Sequence, residues 1–337
     1  MTIDQPQPRF SESDAEARYG RNRRDAAAML ALADHRMLAQ DWRGAMRWYG
    51  AVDYLASQGG AVSMLDRRRT LDAIDWLKAR FRDVLLRDLD AVGLTRAERH
   101  PRFQKSLEIM LGDRPREQVG DAWPQLPQTY FYPDLPLVGY ADAAQFDWRE
   151  ALEAQTGSIL EEALSLMADA RSFTPYVQQQ ADRPQGDVHG LLGNSDWSTW
   201  ELTDGGAVSD ERAALVPRTH AALDALPLCR ISSRAPTLMF SLLRPHSRIP
   251  AHTGMINARF ICHLPLVVPD GCGFRVGGET REWREGELMV FDDSVEHEAW
   301  NDSNLDRLIL IFDVWRPEVT ETERSQIETL FRIVDAN

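Results

Sequence analysis

The period of the apolar residues changes once along this chain, which restricts it to folds that lay helices down first and β-structure second. From about Ala15 to Leu111 no proline intervenes before Pro101, and apolar residues recur at helical spacing: Met29, Leu32 and Ala33, then Met46, Tyr49, Val52 and Leu55. After Arg230 the texture becomes short runs cut by Gly, Pro and Asp. These runs are Thr237 to Leu243, Asn257 to Val268, Gly273 to Val276, Glu279 to Trp283, Leu288 to Asp292 and Arg307 to Trp315. Gly277-Gly278 is a tight-hairpin signal, and Leu308 to Phe312 suits a strand buried on both faces. The fold class that follows is α+β, with a C-terminal sandwich or barrel.

Three regions are expected: a helical part over 1–113, a proline-rich linker over 114–140 carrying the aromatic anchors Tyr130, Phe131 and Tyr132, and a β-domain with flanking helices over 141–337. The flanking helices are read at Trp148 to Asp169 and Pro217 to Pro227. Within the helical part, ALADHRMLAQDWRGAMRWYGAVDYLA reads as two helices hinged near Asp41, like a single tetratricopeptide-type pair without a clean second copy. The run Arg67, Arg68, Arg69 reads as a solvated helix face.

Charge narrows the partners. With 38 Lys and Arg against 52 Asp and Glu, the net charge of −14 repels phosphate backbones and anionic headgroups, so neither nucleic acid nor membrane is expected. Cys229, Cys262 and Cys272 are odd in number and lack any CxxC spacing. Together with an opening that lacks a signal-peptide pattern and apolar runs too short for a membrane span, they lead us to expect a soluble protein of the cytoplasm.

Four of the eight histidines, His246, His252, His263 and His297, fall in or beside the β-region. A lone histidine on a strand is more often a hydrogen-bonded structural residue, but His252 opens HTG after Pro250 and His297 sits in DDSVEHE just past a strand. From such rim positions two imidazoles can converge on one ion, and imidazole suits Fe, Zn and Cu. An iron oxygenase triad usually places Asp or Glu two residues after its first histidine; here that residue is Gly254. A zinc hydrolase would need a third protein ligand, for which Asp292, Asp293 or Glu296 could serve, and an iron site could be completed by a bidentate substrate. Period-two geometry places Arg259, Ile261 and His263 on one strand face and Ala258, Phe260 and Cys262 on the other. Arg307 is a lone cation at the edge of an apolar strand, suited to gripping a dicarboxylic acid, unless it simply pairs with Asp302 or Asp306.

The segments DWSTWELTDGG, SLLRPHSRIPAHTGMINARFICHLPLVVPDGCGFRVGGETREWREGELMVFDDSVEHEAWN and RLILIFDVWRPE together resemble the aspartyl/asparaginyl β-hydroxylase family of Fe(II)/2-oxoglutarate oxygenases, densely over about Asp196 to Glu318. The resemblance implies a jelly-roll, cupin-like double-stranded β-helix with iron held by His252 and His297 alone, and 2-oxoglutarate and O2 as co-substrates. It implies that Arg307 and Ser241 meet the distal carboxylate of 2-oxoglutarate, with His263 and Trp197 around that co-substrate and Arg259 facing an acidic substrate. Animal members carry Arg where this chain has Ile261, which opens the substrate question. The expected substrate is an Asp or Asn residue of a peptide or protein. A free amino acid, another small molecule or an acyl chain is the alternative, and a non-catalytic binding barrel the one after it.

Overall fold

The computed structural model describes residues 6–117, 122–169, 172–178, 184 and 190–336. It divides into two compact units, one made chiefly of Met1–Gly93 and one of Leu94–Gln178 with His189–Asp335, so the division falls earlier than the expected 113/114 boundary.

The first unit contains helices α1 (Glu12–Arg21), α2 (Ala26–Leu38), α3 (Trp42–Ser57) and α4 (Met64–Ala91). Ser11, Asp25, Asp41 and Ser63 each cap a helix by accepting from a backbone N–H in its first turn, a contact that stabilises by about 1 kcal/mol. Asp41 therefore marks the expected hinge between α2 and α3. The pair packs through buried Ala33, Ala45, Tyr49 and Val52, but a 28-residue helix follows it in place of a second matching pair, and no tetratricopeptide repeat is established. The basic run splits by role. Arg68 pairs with Asp72 at the surface, as a solvated face requires, whereas Arg69 reaches the buried carboxylate of Asp34, which also accepts from the Tyr49 hydroxyl at 2.6 Å. A buried Asp needs such partners, and the sequence pattern alone does not show them.

Among its described residues the second unit has two larger antiparallel sheets and one two-stranded hairpin. Its strands are β1 (Tyr140–Ala141), β2 (Thr174–Pro175), β3 (Trp197–Glu201), the small hairpin β4 (Thr203–Asp204) and β5 (Ala207–Val208), then β6 (Leu238–Leu243), β7 (Ser247–His252), β8 (Arg259–Val267), β9 (Cys272–Val276), β10 (Glu279–Arg281), β11 (Met289–Phe291), β12 (His297–Asn301) and β13 (Arg307–Trp315). The large sheet runs β1-β11-β8-β13-β6-β3-β2 and the small one β10-β9-β12-β7. Alternation sorts the side chains of the large sheet. Leu308, Leu310, Phe312, Phe260, Cys262 and Leu264 join one apolar cluster with Leu152, Ile159 and Leu223 from helices α5 (Arg149–Glu153), α6 (Thr156–Met167) and α7 (Pro217–Asp224). Ile309, Ile311 and Ile261 join a second cluster with Ala299, Phe274 and Val276 of the small sheet. One face of the large sheet thus carries helices and the other faces the small sheet, the jelly-roll arrangement expected for the C-terminal part.

The helix read over Trp148 to Asp169 is broken into α5 and α6, and at the break the Thr156 hydroxyl donates to the Glu153 carbonyl at 2.7 Å. Gly277, at φ +58°, makes the β9–β10 hairpin. The described part of the proline-rich stretch is tied to the β-unit along its length. Leu126, Gln128 and Thr129 donate backbone N–H groups to the carbonyls of Ser294, Gly254 and Met255, and Tyr132 to the Asn257 side chain. All three cysteines are free and buried, and among the described residues no helix is long and apolar enough to cross a membrane.

Candidate metal and anion-binding site

His252 ends β7 and His297 begins β12, and these neighbouring strands hold the two residues directly opposite each other, with ring centroids 4.2 Å apart. Each ring is oriented by its own backbone. His252 Nδ1 donates to the Pro250 carbonyl at 2.7 Å and His297 Nδ1 to the Val295 carbonyl at 3.0 Å. A carbonyl accepts only, so the proton of each neutral ring sits on Nδ1 and the Nε2 lone pair is left for a metal. Burial first, and then the neighbouring His252, lower the pKa of His297 to about 3, which keeps it in the neutral, ligating form. Among the described residues no group of three His, Cys, Asp or Glu is placed to hold a metal. The three carboxylates open as further ligands have other partners: Asp292 takes Arg316, Asp293 takes Arg259 and Glu296 takes Arg275. A Cβ at Gly254 would overlap the Asp293 carboxylate, so position 254 has no room for a ligand side chain.

The second half of the site lies on the large sheet. Arg307, at the start of β13, is 1% exposed and has no carboxylate partner among the described residues. The two acids that could have paired with it are engaged elsewhere, Asp302 with Arg248 and Asp306 with Arg244. One Arg307 nitrogen donates to Ser241 Oγ at 3.1 Å, its Nε has no partner, and burial lowers its pKa to about 10. Ser241 Oγ also accepts from Trp197 Nε1 at 3.2 Å, which uses both lone pairs and leaves the hydroxyl proton to donate to an incoming acceptor. A buried guanidinium without a counter-charge is costly, and a carboxylate delivered from solution would relieve that cost.

Contacts close these residues into a ring. Trp197 lies 6.4 Å from the His252 ring, His297 meets Phe291 at 5.5 Å, Phe291 meets His263 at 4.8 Å, and Trp283 joins His263 to Arg307. Trp283, Phe274, Phe291 and Tyr176, which stacks on Trp197 at 4.2 Å, were not singled out by sequence reasoning. The one signal for Phe274, Trp283 and Phe291 is aromatic density between His263 and His297, and Tyr176 has none.

Arg259 differs from the free cation expected. It lies on the same strand face as Ile261 and His263, but it ion-pairs with Asp313 and, at 3.4 Å, with Asp293. Burial opposes its charge, yet these two carboxylates outweigh burial and hold its pKa above the ordinary value. Ile261 is buried beside it. Of the predicted residues, Ser241, Arg307 and Trp197 are thus bonded together, His252 faces His297, His263 joins through Trp283, and Arg259 stands in its own ionic cluster.

The neutral histidines set a pH response. Unfolded His297 titrates near 6.5 but the folded residue only near 3, so on acidification the unfolded chain binds a proton first and stability falls through that window. Asp293, raised to about 7 mainly by burial, acts in the opposite direction. The comparison with His297→Asn isolates the histidine. Between pH 6 and pH 4 the metal-free protein should lose up to about 1.4 kcal/mol per pH unit more than the variant in urea unfolding, and equal slopes would refute the buried neutral form.

Comparison with known proteins finds similarity over the region that carries these residues. Residues 153–317 match the protein family described as aspartyl/asparaginyl beta-hydroxylase. The chain is 32% identical over 212 residues to aspartate beta-hydroxylase domain-containing protein 2 of Homo sapiens, covering 61% of this chain and 55% of that protein. It is 33% identical over 183 residues to aspartyl/asparaginyl beta-hydroxylase of Homo sapiens, 54% of this chain and 23% of that protein. It is also 31% identical over 179 residues to ornithine lipid ester-linked acyl 2-hydroxylase of Rhizobium tropici, 52% of this chain and 60% of that protein. The chain therefore matches only part of the length of each of these relatives. Among solved structures, a 2OG-Fe(II) oxygenase family oxidoreductase from Burkholderia pseudomallei is similar at 15% identity and a TM-score of 0.29, over 49% of this chain and 89% of that one.

Proposed function

We propose, from the premise that residues 153–317 relate this chain to the aspartyl/asparaginyl β-hydroxylases, that it is an Fe(II)/2-oxoglutarate-dependent dioxygenase acting on the β-carbon of aspartyl or asparaginyl residues in peptides or proteins. The carrying observation is Arg307, a buried guanidinium bonded to Ser241 and lacking a carboxylate, within one ring of contacts with the His252–His297 pair. The two-histidine donor set fits ferrous iron, and the buried donors fit a dicarboxylate. When bound there, iron with 2-oxoglutarate supplies C–H hydroxylation, with O2 consumed and succinate and CO2 released. The chain's own part is positional. His252 and His297 offer Nε2, Arg307 and Ser241 hold the distal carboxylate, Trp197 fixes the Ser241 rotamer, and the aromatic wall limits water.

A second reading concerns the substrate, and Arg259 favours it. Asp293 and Asp313 already neutralise that cation and the neighbouring Ile261 is apolar, so Arg259 itself offers little unmatched charge to an acid. An uncharged group, whether an Asn amide or an acyl chain of the kind named for the Rhizobium relative, meets less opposition there than an Asp carboxylate. The test supplies anaerobic Fe(II) and 2-oxoglutarate, admits air, and follows succinate and product mass with matched Asn and Asp peptides and an acyl substrate. Succinate with a peptide heavier by one oxygen supports the first reading. Coupling to the uncharged substrates, the Asn peptide or the acyl chain, but not to the Asp peptide supports the second, and no succinate with any of them rejects the oxygenase in favour of a binding barrel.

A further inference from the structure

Trp283, two residues past β10, is 4% exposed and lies between His263 and Arg307. Its indole Nε1 stands 3.2 Å from His263 Nδ1, and its ring lies under the Arg307 guanidinium at 5.1 Å. On its own ring plane it stacks with Phe274, centroids 5.2 Å apart and 21° between planes. The first contact removes an ambiguity. An indole N–H only donates, so His263 Nδ1 must accept, and the neutral ring carries its proton on Nε2. The opposite tautomer would set two N–H groups against each other in a buried place, a penalty that disfavours it about tenfold to a hundredfold. The His263 Nε2 group meets no hydrogen-bond partner among the described residues.

We propose that Trp283 is a positioning residue: it locks His263 as an Nε2–H donor beside the unpaired Arg307, so that two side chains on the large sheet donate to one dicarboxylate. The half of this proposal that concerns the dicarboxylate rests on the oxygenase reading above; the tautomer half does not. Trp283 acts through His263 and Arg307 and touches no reacting atom. A merely structural tryptophan would fill the same space without needing its N–H.

Trp283→Phe keeps an aromatic ring for the stack and the guanidinium while deleting that N–H. In 15N spectra of the metal-free protein, wild-type His263 should show a protonated Nε2 and an unprotonated Nδ1, and the variant a mixture of tautomers. The KM for 2-oxoglutarate should rise about tenfold with kcat nearly unchanged, the loss of one hydrogen bond to a charged group. In a His263→Asn background the same Trp283 change should add almost nothing to KM, because its route through the imidazole is gone. A wild-type His263 protonated on Nδ1 overturns the proposal even if the variant does not fold. So does a variant that keeps the pure Nε2–H form and the wild-type KM. Wild-type protein that binds no 2-oxoglutarate overturns the oxygenase reading and the two-donor half with it, while the 15N result still decides the Trp283 contact.

Discussion

His297→Ala should bind no ferrous iron and form no 2-oxoglutarate-dependent succinate above background, a larger loss than the about ten- to hundredfold cost of disturbing a residue behind the ligands. The size follows from the small donor set. His252 and His297 are opposite each other in register, each with Nδ1 committed to a backbone carbonyl, and no third His, Cys, Asp or Glu among the described residues is placed to compensate. Position 254 has no room for a side chain because the Asp293 carboxylate occupies that space. Iron content after anaerobic loading and succinate after exposure to air check the prediction, with the urea midpoint as the control for folding. Full turnover in this variant would remove the pair from the proposed site.

How far the sequence reaches depends on the kind of contact. Strand β13 was legible because the apolar run Leu308 to Phe312 reads as a strand buried on both faces, and the inward parity of Ile261 and His263 follows from the two-residue period. The hairpin at Gly277 and the cap at Asp41 are equally local. Strands β3, β7 and β12 were less so. SRIPAH carries a proline and polar residues, and HEAWN turns its His and Asn inward, so neither shows a clean apolar alternation. Long-range charge pairing lies further out of reach. Parity places Arg259 on the inner face but does not reveal that Asp313, 54 residues away, neutralises it there. The same holds for the arm at 122–140, whose prolines suggested a linker while its backbone bonds to residues more than a hundred positions later.

Arg307→Met should change stability and 2-oxoglutarate affinity in opposite directions. In the ligand-free protein the guanidinium is buried with one hydroxyl partner and no counter-charge among the described residues, and burial lowers its pKa from the ordinary value to about 10, which corresponds to about 3 kcal/mol of unfavourable burial. An unbranched apolar chain of similar length removes that burden while still packing on Trp283, so the unliganded variant should melt at or above the wild-type temperature. Ligand binding should pay for this gain in full. Losing the charged donor to a buried carboxylate costs about 2–5 kcal/mol, roughly thirtyfold or more in apparent affinity for 2-oxoglutarate. The thermal upshift that 2-oxoglutarate gives the wild-type protein should accordingly shrink or vanish in the variant. Calorimetric melts with and without 2-oxoglutarate, on iron-loaded protein kept from air, read both signs in one experiment. A variant that melts well below wild type yet keeps its affinity would mean that Arg307 holds the barrel together and leaves the dicarboxylate to other residues; a buried cation kept for an anionic ligand predicts the reverse on both counts.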